Sequence, residues 1–158
     1  MIRQARPADC DAVAAMVRDL AGHAGVASGT TPERLILEAF GARPTISILV
    51  VEEEDRLIGY LIHQDTFSTW RGQSGVFVVD FYIGPGHRGR GIGQKLIAAA
   101  ARIGWDRGAR FLRLDVEDDN QPARRLYARL GFDDIDLRSM ALDEAPMAQL
   151  AGRQDTQV

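Results

Sequence analysis

One stretch restricts the fold more than any other: GVFVVDFYI, residues 75–83, running into GPGHRGRGIGQKL, residues 84–96. The first piece is rich in Val, Phe and Tyr and reads as a strand. The second places five glycines among two arginines and a histidine, after which Ile92, Leu96, Ala99 and Ile103 recur at helical spacing to about Asp106. RFLRLDV, residues 110–116, is again strand-like. A strand, a helix and a second strand in this order make a crossover unit, which puts two parallel strands in one sheet with a helix on one face.

The flanking segments extend this into a mixed α/β chain. IRQA is a short first strand, and RPADCDAVAAMVRDLA a helix with Pro7 near its start and Val13, Met16, Val17 and Leu20 on one face. Gly22 and Gly25 end it. TPERLILEAFG is a second helix, with Thr31 as N-cap and Pro32 at its first position. TISILVVEE and RLIGYLIHQDTF, joined through the acidic EEED turn, form an antiparallel hairpin. NQPARRLYARLGF is a capped helix closed by Gly131, and LRSMAL a last strand. At 158 residues the expectation is a single domain over residues 1–150, with residues 151–158 a frayed tail.

The glycine loop leads into a helix start, where unpaired N–H groups and the positive end of the helix dipole favour a phosphate if side chains let it approach. Gly89, Gly91 and Gly93 permit that approach, and Arg88 and Arg90 add charge. The net charge of −3 makes any such anion site local and gives no attraction to nucleic acid or membrane. A tight turn with solvated arginines is the plainer alternative. Gly84, Gly86 and Gly89 also satisfy the dinucleotide pattern G-x-G-x-x-G, with Asp115 and Glu117 near the end of the next strand. Pro85 and the hairpin strands upstream weigh against that pattern, and a Walker loop lacks its Lys-Ser or Lys-Thr. A single cysteine, Cys10, excludes a disulfide framework and a cysteine-based zinc site; no metal is expected, and the compartment expected is the cytoplasm.

The same loop fits Q/R-x-x-G-x-G/A, with Arg88, Gly91 and Gly93 in the fixed positions. Preceded by VDFYI and followed some 25 residues later by NQPARRLYARLGF, the chain resembles the GNAT acetyltransferases over nearly its whole length. The resemblance implies the GNAT fold, a mixed and mostly antiparallel central sheet flanked by helices, with a β-α-β core that binds acetyl-CoA. It places the coenzyme on Arg88, Gly89, Arg90, Gly91, Ile92, Gly93 and Gln94, on the main chain of Phe81, Tyr82 and Ile83, and on Asn120, Ala123 and Tyr127. RPADCDAVAAMVRDLA, FSTWRG, DFYI and ARLGF are most similar to the diamine and thialysine N-acetyltransferases. That branch implies a small primary amine as acceptor, direct transfer in a ternary complex, and a homodimer.

An alkylammonium must lose a proton before it attacks a thioester, and the leaving thiolate must gain one. By resemblance Tyr127 supplies the second proton, although a buried tyrosine with a satisfied hydroxyl is also at home on such a helix. For the first, the family's strand glutamate is replaced by Val79, which leaves Asp80 as general base, as ammonium ligand or as a strand anchor. His23 and His63 are weaker candidates for the same task. His23 and Trp70 are expected in the acceptor pocket, Trp70 otherwise being a packing residue. Asn120 serves equally as a helix N-cap, and Arg124, Arg125 and Arg129 as a solvated face. The segment from Trp70 to Asp80 is one residue longer than the family pattern, which suggests a bulge. With Ala24 and Val79 where acidic residues are expected, the pocket is poor in carboxylates for a polyamine. A protein or peptide N-acetyltransferase and a non-catalytic acyl-CoA sensor are the competing functions.

Overall fold

The computed structural model describes residues 1–135 and 139–152. Five strands form one sheet in the order β1 (Ile2–Gln4), β2 (Ser47–Glu53), β3 (Arg56–Ser68), β4 (Gln73–Ile83) and β5 (Phe111–Leu114). The first three pairings are antiparallel; β4 and β5 are parallel, as the crossover requires. β2 and β3 turn through Glu54 and Asp55, both at positive φ, the conformation that matches the twist of a tight hairpin.

Strand alternation divides the core in two. Ile48, Val50, Tyr60, Ile62 and Tyr82 face α1 (Cys10–His23) and α2 (Pro32–Phe40), and Val13 and Ala14 of α1 are fully buried against them. Leu49, Leu61, Val78 and Ile83 face α3 (Ile92–Asp106) and α4 (Gln121–Arg129), with Leu96, Ala100 and Tyr127. Thr31 caps α2 by accepting from the Arg34 amide at 3.2 Å, and Ile92, Leu96, Ala99 and Ile103 all join the second core. No helix among the described residues is long and apolar enough to cross a membrane.

Two features of β4 prepare the site. Ile62 pairs with Asp80 but His63 pairs with Val78, so Val79 is an extra, half-exposed residue at the bulge that the segment's length suggests. The pairing with β5 ends at Val78 and Leu114, while β4 continues to Ile83. The two parallel strands therefore part beyond Val78, and among the described residues one backbone edge of residues 79–83 has no strand beside it.

The C-terminal region departs from expectation. Leu137 and Arg138 of the expected last strand lie outside the described residues, and Ser139–Leu142 carry no strand. A short helix, α5 (Glu144–Leu150), follows; none of its residues is buried, and with Pro146 and little helical periodicity it leaves no strong signal in the sequence. Of the expected tail, residues 151 and 152 form a turn and residues 153–158 lie outside the described residues.

Candidate active site

Between β4 and α3 the chain makes a single 3₁₀ turn, Pro85–His87, and then passes through Gly89 and Gly91 at φ of +75° and +74°. Both conformations belong to glycine, and a Cβ at either position would meet nothing within 4 Å. The glycines therefore serve the backbone path and leave open space beside it. Gly91 is the N-cap of α3 and offers no side-chain cap, so the first-turn amides of α3 face outward without a side-chain partner. Gly93 has a different reason: a Cβ there would sit 3.3 Å from the Phe81 ring and 3.6 Å from Leu126, so its absence lets α3 begin against β4 and α4.

The two arginines expected on a phosphate are exposed, and both engage groups of the chain itself. Arg88 donates through Nε to the Ile83 carbonyl at 2.8 Å and lies 5.6 Å from the centre of the Tyr82 ring. Arg90 grips both oxygens of Glu53 at 2.6 and 3.0 Å, and His87 Nδ1 is 3.0 Å from the same carboxylate. Both guanidiniums thus tie the loop to the sheet, Arg88 to β4 and Arg90 to the β2–β3 hairpin.

On the α1 face of the sheet, the fully buried Tyr60 donates its hydroxyl to Asp80 Oδ2 at 2.7 Å and stacks on Tyr82, ring centres 6.3 Å apart. Burial raises the Asp80 carboxyl above its ordinary value, with the Tyr60 and Phe81 hydrogen bonds pulling back against it. His23, at the end of α1, lies 6.4 Å from Tyr82, and its Nδ1 donates to the Asp19 carbonyl at 2.6 Å. Across the sheet Tyr127 packs against Phe81 and Phe132, and burial first, then the charge of Asp80, pushes its phenol up to about 12. Asp80 and Tyr127 thus stand on opposite faces of β4 where it leaves β5, near enough for one to feel the other's charge.

The pattern of the GNAT acetyltransferase family matches residues 14–132. The chain belongs to that family. Thialysine N-epsilon-acetyltransferase of Bos taurus is 33% identical over 145 residues, 85% of each chain, and that of Sus scrofa 31% identical over 167 residues, 97% of this chain and 98% of the relative. Among solved structures, the aminoglycoside N-acetyltransferase AAC(6')-Iy in complex with CoA superposes with a TM-score of 0.72 at 19% identity, covering 92% of this chain and 100% of that one. The fold is the GNAT fold, and the protein is an acetyl-CoA-dependent N-acetyltransferase.

Other expected residues divide in this GNAT enzyme. The Asn120 side chain accepts from the Ala123 amide at 3.2 Å, the N-cap role that its place at the head of α4 predicts. Arg124 pairs with Asp118 and Asp134. Ala24 is the C-cap of α1. His63 is buried on the α3 face, away from Asp80, because the bulge separates their registers. Trp70 is 94% exposed at the β3–β4 turn, beyond the Ser68–Gln73 pair, and Gln73 itself is seven residues from Asp80 along β4, roughly 23 Å at strand rise. An open cleft of about 1330 Å³ beside β5 is lined by Leu114, Val116, Tyr127 and Phe132 among others; it adjoins Tyr127 but excludes the glycine loop and Asp80, lying along the edge of β5 that no strand among the described residues pairs with. Sequence reasoning passed over Tyr60 and Glu53, which act only through partners distant in sequence.

Proposed function

We propose that the enzyme acetylates a primary amine of a small molecule, of the thialysine or amino-acid-like kind, by direct attack within a ternary complex. The observation that carries this is the placing of Asp80 and Tyr127 on the two faces of β4 where it leaves β5: one basic carboxylate on the acceptor side, one phenol on the other.

The residues present suit the coenzyme. The open space at Gly89 and Gly91 and the uncapped first-turn amides of α3, from Gly91 to Gln94, fit a pyrophosphate, and the edge of Phe81, Tyr82 and Ile83, unpaired among the described residues, fits an amide-bearing arm and a polarised carbonyl. Acetyl-CoA brings an activated thioester carbonyl to that edge. Asp80, its basicity raised by burial, takes the ammonium proton directly or through a water; Tyr127 holds the proton that the departing sulfur requires. Asp80 is the carboxylate the acceptor meets beside Tyr60 and Tyr82, which favours an acceptor of low net positive charge over a polyamine; thialysine, whose own carboxylate offsets one of its two ammonium groups, fits that description, and thialysine enzymes stand among the relatives. His23 Nε2 stands on the same side as an acceptor contact. Trp70 is remote from Asp80 within one chain, so its place in an acceptor pocket requires a homodimer.

Thiol release from acetyl-CoA is the test, run against thialysine, lysine, putrescine, spermidine, an aminoglycoside and a peptide with a free N-terminus. The expected result is saturable release with thialysine or lysine and weaker release with spermidine. Tyr127→Phe should lower kcat about a hundredfold or more with coenzyme affinity unchanged. Silence across the panel with tight acetyl-CoA binding would make the protein a sensor; preference for the peptide would make it a protein acetyltransferase.

A further inference from the structure

Val79 bulges outward and half-exposed, so the strand position that the resemblance assigns to a glutamate offers no carboxylate, and Asp80 is the carboxylate that β4 supplies. A solitary carboxylate on a strand rotates unless something holds it. No arginine, lysine or histidine forms an ion pair with Asp80 among the described residues; the group that holds it is a neutral phenol. Tyr60 pairs across the strands with Tyr82, and Asp80 with Ile62, so Tyr60 reaches Asp80 along the diagonal of the antiparallel pair, a span that suits a long aromatic side chain. Its ring is fixed: it is fully buried in the core under α1 and stacked on Tyr82, which lies beneath the Arg88 guanidinium. The hydroxyl engages Oδ2 at 2.7 Å and leaves Oδ1 out of the bond.

We propose that Tyr60 is a positioning residue for acetyl transfer: its hydroxyl fixes the Asp80 carboxylate so that Oδ1 is the atom that receives the acceptor's proton. This rests on Asp80 being the base. The choice of a phenol has a chemical consequence. A cation in the same place would stabilise the ionised carboxylate strongly and spoil it as a base; neutral hydrogen bonds, from the Tyr60 hydroxyl and the Phe81 amide, hold the geometry and lower the basicity only modestly. Burial keeps the carboxyl above its ordinary value in spite of that bond. The titratable and charged groups around Asp80 are Tyr60 of β3, Tyr82 of β4, His23 of α1, Arg88 of the loop, and Tyr127 of α4 across the sheet. Of these, Tyr60 is the one whose hydrogen bond to the carboxylate can be removed with its ring left in place.

Tyr60→Phe keeps the ring and deletes the bond, so the fold should survive, as far-UV circular dichroism and the unfolding temperature will show. Two readouts follow. In protein carrying ¹³C-carboxyl aspartate, the Asp80 titration midpoint should rise by about one pH unit. In the pH profile of kcat/KM for the best amine of the panel, the acidic limb should rise with it and kcat at neutral pH should fall about tenfold, with KM for acetyl-CoA unchanged. In an Asp80→Asn background Tyr60→Phe should have no further effect on rate. An unmoved midpoint, or an unmoved limb with Asp80→Asn slow, overturns the role of Tyr60 while leaving Asp80 as base. An Asp80→Asn enzyme as fast as the wild type overturns the base assignment and this proposal with it.

Discussion

His63 and His23 look alike in the sequence, and the fold gives them opposite surroundings. His63 is 1% exposed, its Nδ1 meets no partner, and burial, with the Arg107 charge adding to it and Asp65 opposing, holds the ring below its ordinary pKa. The unfolded chain takes up a proton near pH 6.5 while the folded ring refuses it, so stability is complete above that pH and drains away as pH falls toward the lowered folded value. Tm should therefore drop between pH 7.5 and 5 by about 3 °C or more, and His63→Leu should flatten that slope in a thermal scan across the same range. An equal slope in the variant would clear His63 of the effect. Either histidine suits proton transfer by residue type alone. What separates them is a bulge of one residue, whose position depends on a strand pairing and not on the identity of His63. The same limit applies to Trp70, whose motif is legible and whose distance from Asp80 is not.

At the scale of elements, local signals were legible and long-range partners were not. The Thr31 and Asn120 caps, the extent of α3 and the positive-φ glycines follow from residues within one turn of each other. Arg90 reads equally well as a phosphate ligand or a brace, because its partner Glu53 is 37 residues away on the β2–β3 hairpin. That exposed clamp contributes little to stability, since solvent screens it and two long side chains must be ordered to make it. Its effect belongs to binding: it ties a glycine-rich loop to the sheet and reduces the ordering that a coenzyme would otherwise impose. Glu53→Gln should leave the urea midpoint unchanged and weaken acetyl-CoA binding by about threefold in calorimetry. An unchanged Kd would mean that the loop holds its shape through its own turn and Arg88.

For the whole molecule, the crossover was enough to place a parallel pair in an otherwise antiparallel sheet, because chain connectivity leaves few alternatives. The expected last strand does not form over its described residues, 139–142, for the converse reason: LRSMAL has alternation enough for a strand, but pairing requires a partner edge that no local pattern specifies. How tightly the helices close on the sheet is equally hidden, and two helical glycines test it. A Cβ on Gly104 of α3 would stand 2.2 Å from Val76 Cγ2, on a short branched side chain buried in β4, while one on Gly22 of α1 would meet nothing within 4 Å. Helix propensity alone predicts that alanine stabilises both by roughly 0.5–1 kcal/mol. Packing reverses the sign at one of them: Gly104→Ala should lose about 1–3 kcal/mol in urea unfolding, whereas Gly22→Ala should be neutral or gain. The loss should also reach the site. Gly104 and Val76 close the end of the sheet where β4 and β5 stay paired, and α3 carries the loop amides at its other end, so a shift at Gly104 tilts the helix start and weakens acetyl-CoA binding. If both alanines stabilise, α3 is not wedged against β4, and the opening between β4 and β5 is set by the bulge at Val79 alone.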